Sequence, residues 1–479
     1  MVNCFFLLEN IETAKNAAIF RSNALVNKVF ILANEIPEHQ PEGINFLQVD
    51  SVYSSETMRK IAAESDAEFS LLYIKTGLPE LGKFALERFL QIAENTAAGM
   101  LYSDFYELKN GKRENHSVIS YQEGSLRDDF DFGKLLFFNA KELKNAVAEM
   151  SDNYSFAGLY DLRLRISQQA EIFHINEFLY SETISNSLTD NEKQFSYVDP
   201  KNREAQIEME SACTEHLKKI GAYISQNHKS LDLNSETFSV EASVIIPVRN
   251  RKNTIGAAIK SVLTQNPNFG FNLIVIDNYS TDGTTQIIED FAKTDSRVIH
   301  IIPGNKDLGI GGCWNEGIMN ENCGRFAVQL DSDDVYANDD VLQKIVDKFY
   351  AERCAMVIGS YTITDVDLNP IPPYLIDHCE WTDENGYNNA LRINGLGAPR
   401  AFFTPVIRQI KLPNTSYGED YAVGLAISRD YKIGRIYESL YCCRRWDGNS
   451  DAALDIEKIN RNNFYKDSIR TIEVKARKR

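Results

Sequence analysis

Two carboxylates with one residue between them, Asp331-Ser332-Asp333, follow directly on the apolar run Phe326-Ala327-Val328-Gln329-Leu330. Oxygen ligands in that spacing suit a hard divalent cation. Such a cation can bridge a diphosphate and take up charge as it leaves. The same D-x-D triplet recurs at Asp129-Phe130-Asp131 and Asp365-Val366-Asp367, where an acidic turn capping a helix accounts for it. Only the copy at 331–333 leaves a buried-strand pattern, and ligands gather at the carboxyl ends of strands in open parallel sheets. Farther on, Tyr417-Gly418-Glu419-Asp420 opens an amphipathic helical pattern. Carboxylates there either cap the helix and offset its dipole or act as a general base toward an acceptor hydroxyl.

A further acid, Asp277, begins the polar stretch Asp277-Asn278-Tyr279-Ser280-Thr281-Asp282-Gly283-Thr284, where a carboxylate could accept from a base or ribose. Next comes Pro303-Gly304-Asn305-Lys306-Asp307-Leu308-Gly309-Ile310-Gly311-Gly312-Cys313-Trp314. Glycines before a helix allow close approach of a ligand, and a helix start favours phosphate. Tight helix packing explains the same glycines, and no Gly-Lys-Ser/Thr follows to make a Walker loop.

The elements that must position these residues are alternating strands and helices. Ser243-Val244-Ile245-Ile246-Pro247-Val248-Arg249-Asn250 is an apolar run ended by polar residues. It predicts a buried parallel strand feeding a loop, then a helix from about Thr254 to Gln265. A second strand is predicted from Leu273 to Ile276, ending at Asp277, and a third from Phe326 to Leu330, ending at Asp331. Alternation of this kind argues for α/β layers.

Taken in order, "SVIIPVRN", "VIDNYSTDGT", "NKDLGIGGCWNEGI", "QLDSDD" and "GEDYAVGLAIS" resemble the family 2 glycosyltransferases, from about Glu241 to Ser450. The resemblance implies a GT-A fold and transfer of a hexose from a nucleoside diphosphate donor (UDP- or GDP-linked) with inversion. The acceptor would be a hydroxyl of a glycan or a lipid-linked sugar, in polysaccharide, glycolipid or glycoprotein synthesis. It implies that Pro247, Val248, Asn250 and Asp277 line the donor pocket together with Arg249, Asn305, Gly309 and Ser332. Asp331 would face the ribose and share with Asp333 a Mg²⁺ or Mn²⁺ ion. Asp420 is then the base, with Glu419 beside it. Arg445, in Arg444-Arg445-Trp446, would close over the diphosphate. Two departures stand out: the family commonly has tyrosine where Arg249 stands and often arginine where Trp314 stands. His378 and Trp381 fall where an acceptor would lie, although a lone histidine is more often structural.

The first half repeats the second. Phe69-Ser70-Leu71-Leu72-Tyr73-Ile74 parallels Arg325-Phe326-Ala327-Val328-Gln329-Leu330, and Leu164-Arg165-Ile166-Ser167 parallels Leu425-Ala426-Ile427-Ser428. Lys75-Thr76-Gly77 then stands where the second copy has Asp331-Ser332-Asp333, and Gly158-Leu159 where it has Glu419-Asp420. A charged lysine cannot ligate a cation, and neither glycine nor leucine can accept a proton. The expected architecture is therefore two tandem GT-A, Rossmann-like α/β domains with mainly parallel sheets. Residues 1–182 form a silent, degenerate copy, 183–238 a polar linker with one helix from Arg203 to Ile224, 239–450 the catalytic domain, and 451–479 a C-terminal helix with a basic tail.

Composition narrows the partners. A net charge of −17 over 479 residues disfavours nucleic acid as a main partner. The 8 cysteines form no C-x-x-C pair, the first residues lack a basic leader pattern, and no apolar run approaches a bilayer span. A cytoplasmic protein is expected, peripheral at the inner membrane face if the basic tail grips anionic lipid. A homo-oligomer is compatible with all of this. Two competing readings are a non-catalytic sugar- or partner-binding pseudoenzyme, which intact Asp331, Asp333 and Asp420 argue against, and a nucleotidyltransferase, which would carry a basic, glycine-rich phosphate loop near its start.

Overall fold

The computed structural model describes residues 1–109, 111–183, 202–225, 228–446 and 454–479. The chain divides into two compact units, Met1–Tyr223 with Leu454–Arg479, and Ile224–Ala453.

The first unit contains strands β1 (Val2–Leu7), β2 (Val26–Ala33), β3 (Asn45–Gln48), β4 (Phe69–Thr76), β5 (Glu80–Leu81), β6 (Met100–Lys109), β7 (Lys112–His116), β8 (Leu135–Asn139) and β9 (Ile172–Thr183). They form one sheet in the order β3-β2-β1-β4-β8-β6-β9-β5, with β7 on β6. The second unit contains β10 (Ala242–Val248), β11 (Phe271–Asp277), β12 (Val298–Ile301), β13 (Phe326–Gln329), β14 (Val335–Tyr336), β15 (Met356–Thr364), β16 (Pro370–Ile376), β17 (Arg400–Phe403) and β18 (Ile433–Arg444). Its order is β12-β11-β10-β13-β17-β15-β18-β14, with β16 on β15. The two sheets match strand for strand, so the repeat seen in the sequence is a repeat of fold.

Each sheet is mixed. In the second, β12, β11, β10 and β13 run parallel, and β17 is antiparallel to both of its neighbours. The parallel part reads as continuous apolar sequence because both faces are covered: Val244, Ile245, Ile246 and Leu273 to Ile276 have no exposed surface. Each such side chain contributes roughly 1.5–3 kcal/mol by leaving water. Register then fixes the functional edge. Val248 pairs with Asp277, and Ile245 with Gln329. The loops after β10, β11 and β13 therefore leave the sheet on one side.

The helix expected from Arg203 to Ile224 is shorter, Arg203–Lys219, with Ile220 as its C-cap. It belongs to the first unit. There Glu208 accepts from the backbone N–H groups of Ser155, Phe156 and Ala157 at 3.1, 2.6 and 3.1 Å, an anion placed at the start of helix Gly158–Gln169. The C-terminal helix, Ile456–Arg477, docks on the same unit. Ser125 donates to Asp467 Oδ2 at 2.9 Å, and a Cβ at Gly124 would fall 2.1 Å from the Thr471 nitrogen. Its basic end is partnered: Arg477 Nε lies 2.8 Å from Glu473, and Lys478 meets Glu123.

Candidate active site

After β13 the chain turns at Asp331-Ser332-Asp333-Asp334, and this turn is clamped to β18. The Asp331 backbone N–H donates to the Tyr441 hydroxyl at 3.1 Å, which donates to Asp334 Oδ2 at 2.8 Å. Asp334 Oδ1 accepts from the Arg444 backbone N–H at 2.7 Å. Asp334 is buried, and burial with the charges of Asp331 and Asp333 raises its carboxyl well above the usual range. Its part is to hold the turn, which leaves Asp331 and Asp333 to face the cleft. Asp331 Oδ1 accepts from Gln329 Nε2 at 3.0 Å, and Asp333 Oδ2 lies 3.6 Å from Arg251 Nε. Burial pushes the Asp331 carboxyl up, while Arg400 opposes the shift.

The second pair of acids opens helix Glu419–Asp430, entered through Gly418 at φ 75°. Asp420 Oδ2 lies 2.9 Å from Arg400 Nη1. Glu419 is buried with no hydrogen-bond partner for Oε2. Burial, with the adjacent Asp420 charge adding, pushes its carboxyl up to about 8. Room for this side chain depends on Gly311, where an added Cβ would stand 3.0 Å from the Glu419 Cβ and 1.9 Å from the Pro413 carbonyl oxygen.

These groups enclose a cleft of about 200 Å³. Of the residues expected at a donor site, Pro247, Asp331, Ser332, Asp333, Glu419 and Asp420 line it. The others lie elsewhere on the same side. Val248 is buried, and Arg249 and Asn305 are exposed. Asn250, at φ 56°, accepts from the Thr281 N–H at 2.8 Å and so ties two loops together. Asp277 is fully buried, accepting from Ser280 N at 3.0 Å and Thr285 Oγ1 at 2.5 Å, with His300 Nε2 at 3.5 Å. Burial works against its charge, but the nearby His300 imidazole and hydrogen bonds from Ser280 and Thr285 outweigh it and hold the carboxyl below the usual range. The glycines of the third motif pack against residues 413–415: Gly309 N donates to Asn414 Oδ1 at 2.8 Å, and a Cβ there would be 2.6 Å from the Thr415 carbonyl carbon. Arg445 is half-buried at the end of the sheet, its N–H donating to Thr364 O at 2.7 Å. His378 is buried against Glu380 at 2.7 Å, a structural pairing.

Sequence reasoning passed over Arg251, Gln329 and Arg400, all of which line the cleft. A signal for Arg400 existed: a lone arginine heads the apolar strand Ala401-Phe402-Phe403, and a charge in such a strand needs a partner. Trp314, noted as a departure from the family pattern, forms an apolar wall with Phe402, ring centroids 5.9 Å apart.

Residues 243–410 match the family described as Glycosyl transferase family 2. The second unit is a family 2 glycosyltransferase domain. Relatives of this chain are named as glycosyltransferases. It is 29% identical over 188 residues to the "Putative teichuronic acid biosynthesis glycosyltransferase TuaG" of Bacillus subtilis, covering 39% of this chain and 71% of that protein. It is also 29% identical over 206 residues to the "UDP-Glc:alpha-D-GlcNAc-diphosphoundecaprenol beta-1,3-glucosyltransferase WfgD" of Escherichia coli, covering 42% of this chain and 75% of that one. An "Uncharacterized glycosyltransferase" of Rickettsia felis is 27% identical over 323 residues, covering 63% of this chain, which spans only 52% of that longer protein. The chain thus carries two α/β units with the same sheet order, the tandem arrangement expected from the sequence. No helix among the described residues is long and apolar enough to cross a membrane.

Proposed function

We propose that the transferase unit moves a hexose from a nucleoside diphosphate donor to an acceptor hydroxyl, with inversion and with a divalent cation. The observation that carries this is the cleft itself: Asp331 and Asp333 from the end of β13 and Glu419 and Asp420 from a helix start line one space. Two functions of opposite demand, holding a cation and accepting a proton, are thereby separated onto two elements.

The fit to a cation rests on the donor set. Among the described residues no group of three His, Cys, Asp or Glu side chains is arranged to hold a metal. Two carboxylates on a rigid turn suit an ion that completes its shell with substrate phosphate oxygens and water, as Mg²⁺ commonly does. Asp333 and Asp331 would hold it, and the ion would supply charge neutralisation to the departing diphosphate. Arg251, 3.6 Å from Asp333, adds a cationic group on the same side. Asp420 takes the proton of the attacking hydroxyl. Glu419, buried and favouring its protonated form, is suited to donate a hydrogen bond in the cleft rather than to compete as base.

A lipid-linked sugar is the acceptor class supported by the likeness to the Escherichia coli glucosyltransferase, whose name specifies a diphosphoundecaprenol substrate. Such an acceptor would be reached from the cytoplasmic face by a peripheral protein. The first unit, without carboxylates at the matching positions, is catalytically silent in this reading.

A donor screen tests the proposal: thermal shift and nucleotide release with UDP- and GDP-sugars, with and without Mn²⁺, on wild type and Asp333→Ala. Metal-dependent stabilisation and turnover with one nucleotide class, lost in the variant, is the expected result. A folded protein that responds to no donor would overturn it.

A further inference from the structure

Arg400 sits at the start of β17 and touches both halves of the cleft. Its Nη1 donates to the Gly397 carbonyl at 2.7 Å and lies 2.9 Å from Asp420 Oδ2. Its backbone N–H donates to Gln329 Oε1 at 3.2 Å, and Nε2 of the same amide donates to Asp331 Oδ1 at 3.0 Å. One strand residue therefore connects, through side chain and main chain, the acid leaving β13 to the acid opening helix Glu419–Asp430. Burial disfavours the guanidinium charge, but Asp420, Asp331 and Glu419 outweigh that and keep it firmly protonated.

The first unit supplies an independent comparison. Phe326 pairs with Phe403 as Phe69 pairs with Asn139, so the counterpart of Arg400 is Leu136. There Asp331, Glu419 and Asp420 correspond to Ile74, Gly158 and Leu159, and the arginine is missing together with the carboxylates.

We propose that Arg400 is the positioning residue for the base, its guanidinium fixing the Asp420 carboxylate in the orientation that receives the acceptor proton. The inference rests on the transferase reading above, with Asp420 as base. A carboxylate bound to a group that is itself anchored on Gly397 and Gln329 loses rotational freedom before the reaction begins, and misplacement of such a group is costly in rate. The planar guanidinium offers donors in a fixed fork, which a lysine ammonium does not. Of the two adjacent acids, it is Asp420 that Arg400 holds, at 2.9 Å.

The test uses the full chain and the nucleotide sugar found active in the donor screen, starting from UDP-glucose with Mn²⁺ and water as acceptor. Wild type, Arg400→Leu, Arg400→Gln, Arg400→Lys, Asp420→Asn and the Arg400→Leu/Asp420→Asn double variant are compared. Arg400→Leu is expected to lower kcat about 100-fold while donor KM stays within about threefold. Arg400→Lys should recover about tenfold of that loss, and the double variant should be no slower than Asp420→Asn alone. If Arg400→Leu fails to fold, Arg400→Gln, nearer in size and polar, carries the same comparison. Equal kcat in wild type and the neutral variants, losses that multiply in the double variant, or a donor KM that rises as much as kcat falls would each overturn the inference. A wild type inactive with every donor overturns the transferase reading and this inference with it. An active wild type with unaffected Arg400 variants overturns this inference alone.

Discussion

The two units have the same strand order, and they differ most at the edge where their parallel strands end. In the second unit that edge carries Asp277, Asp331, Asp333, Arg400, Glu419 and Asp420. Counted along paired strands and the matching helix, the first unit has Ala33, Ile74, Thr76, Leu136, Gly158 and Leu159 there. The register refines the sequence alignment by one position, since Phe69 rather than Ser70 matches Phe326. The conclusion for chemistry is unchanged. An α/β sheet of this order folds equally with or without the acids, so its hydrophobic core specifies the fold and the loop-edge residues specify the activity.

The sharpest way to break this comparison is to change matched positions in the full chain. Asp333→Ala should lower sugar transfer about 1,000-fold, the size expected when transition-state charge loses its counter-ion. Thr76→Ala should leave the rate within about twofold, as expected where no charge is stabilised. Equal losses would mean that the first unit is not silent. Asp420→Asn comes next, with a fall in kcat of about 100-fold from loss of the base, against no change for Leu159→Asn in the same steady-state assay.

How much of this was legible beforehand follows from where the signal lies. Strands β10, β11 and β13 announce themselves as apolar runs. Asp331 and Asp333 stand at the end of one of them, so position singled them out, whereas Glu419 and Asp420 at a helix start could equally be caps and read as a base only with the other motifs in order. Asp277 was equally visible, yet its carboxylate is consumed by Ser280, Thr285 and His300. Those partners lie 3, 8 and 23 residues away in the chain, and only the folded loop brings them together. Arg400 and Gln329 were overlooked because each sits within an apolar strand and gains its meaning from a neighbour across the sheet. The glycines of the third motif were ambiguous between ligand approach and packing, and their contacts with residues 413–415 supply the packing half of that choice.

Smaller effects sharpen the comparison through stability. Gly311→Ser in the second unit and Gly158→Ala in the first both force atoms into backbone, with Cβ distances of 1.9 Å to Pro413 O and 2.2 Å to Ser55 N. Each should cost about 1–3 kcal/mol, read as a lowered midpoint in thermal or urea unfolding; a variant as stable as wild type would contradict the packing described. The smallest effect belongs to His216, which burial holds near pKa about 3, its Nδ1 bonded to Gln168 Nε2 at 2.8 Å. Because the folded value lies below the unfolded one, the stabilisation is complete above about pH 6.5 and is lost as pH falls toward the folded pKa. Going from pH 7.5 to 5.5 should therefore cost about 1 kcal/mol, and His216→Gln should flatten that slope. His116, raised by Asp131 and Glu107 despite its burial, works in the opposite sense, so the paired comparison of wild type and variant is the informative one.

The glycine that makes room for Glu419 shows what the first unit would need in order to carry an acid at the same place. In the second unit the small residue is on the helix Ile310–Met319, as Gly311, and the acid is on the facing helix. In the first unit Ser55 opens the matching helix Ser55–Glu64 and Gly158 the facing one, where an added Cβ would fall 2.2 Å from the Ser55 nitrogen. An acid introduced at 158 would collide with that backbone, and shrinking the side chain of residue 55 would not relieve the collision, because the obstructing atoms are main chain. Volume alone therefore bars a single substitution at 158 from reproducing the placement that Glu419 has in the second unit.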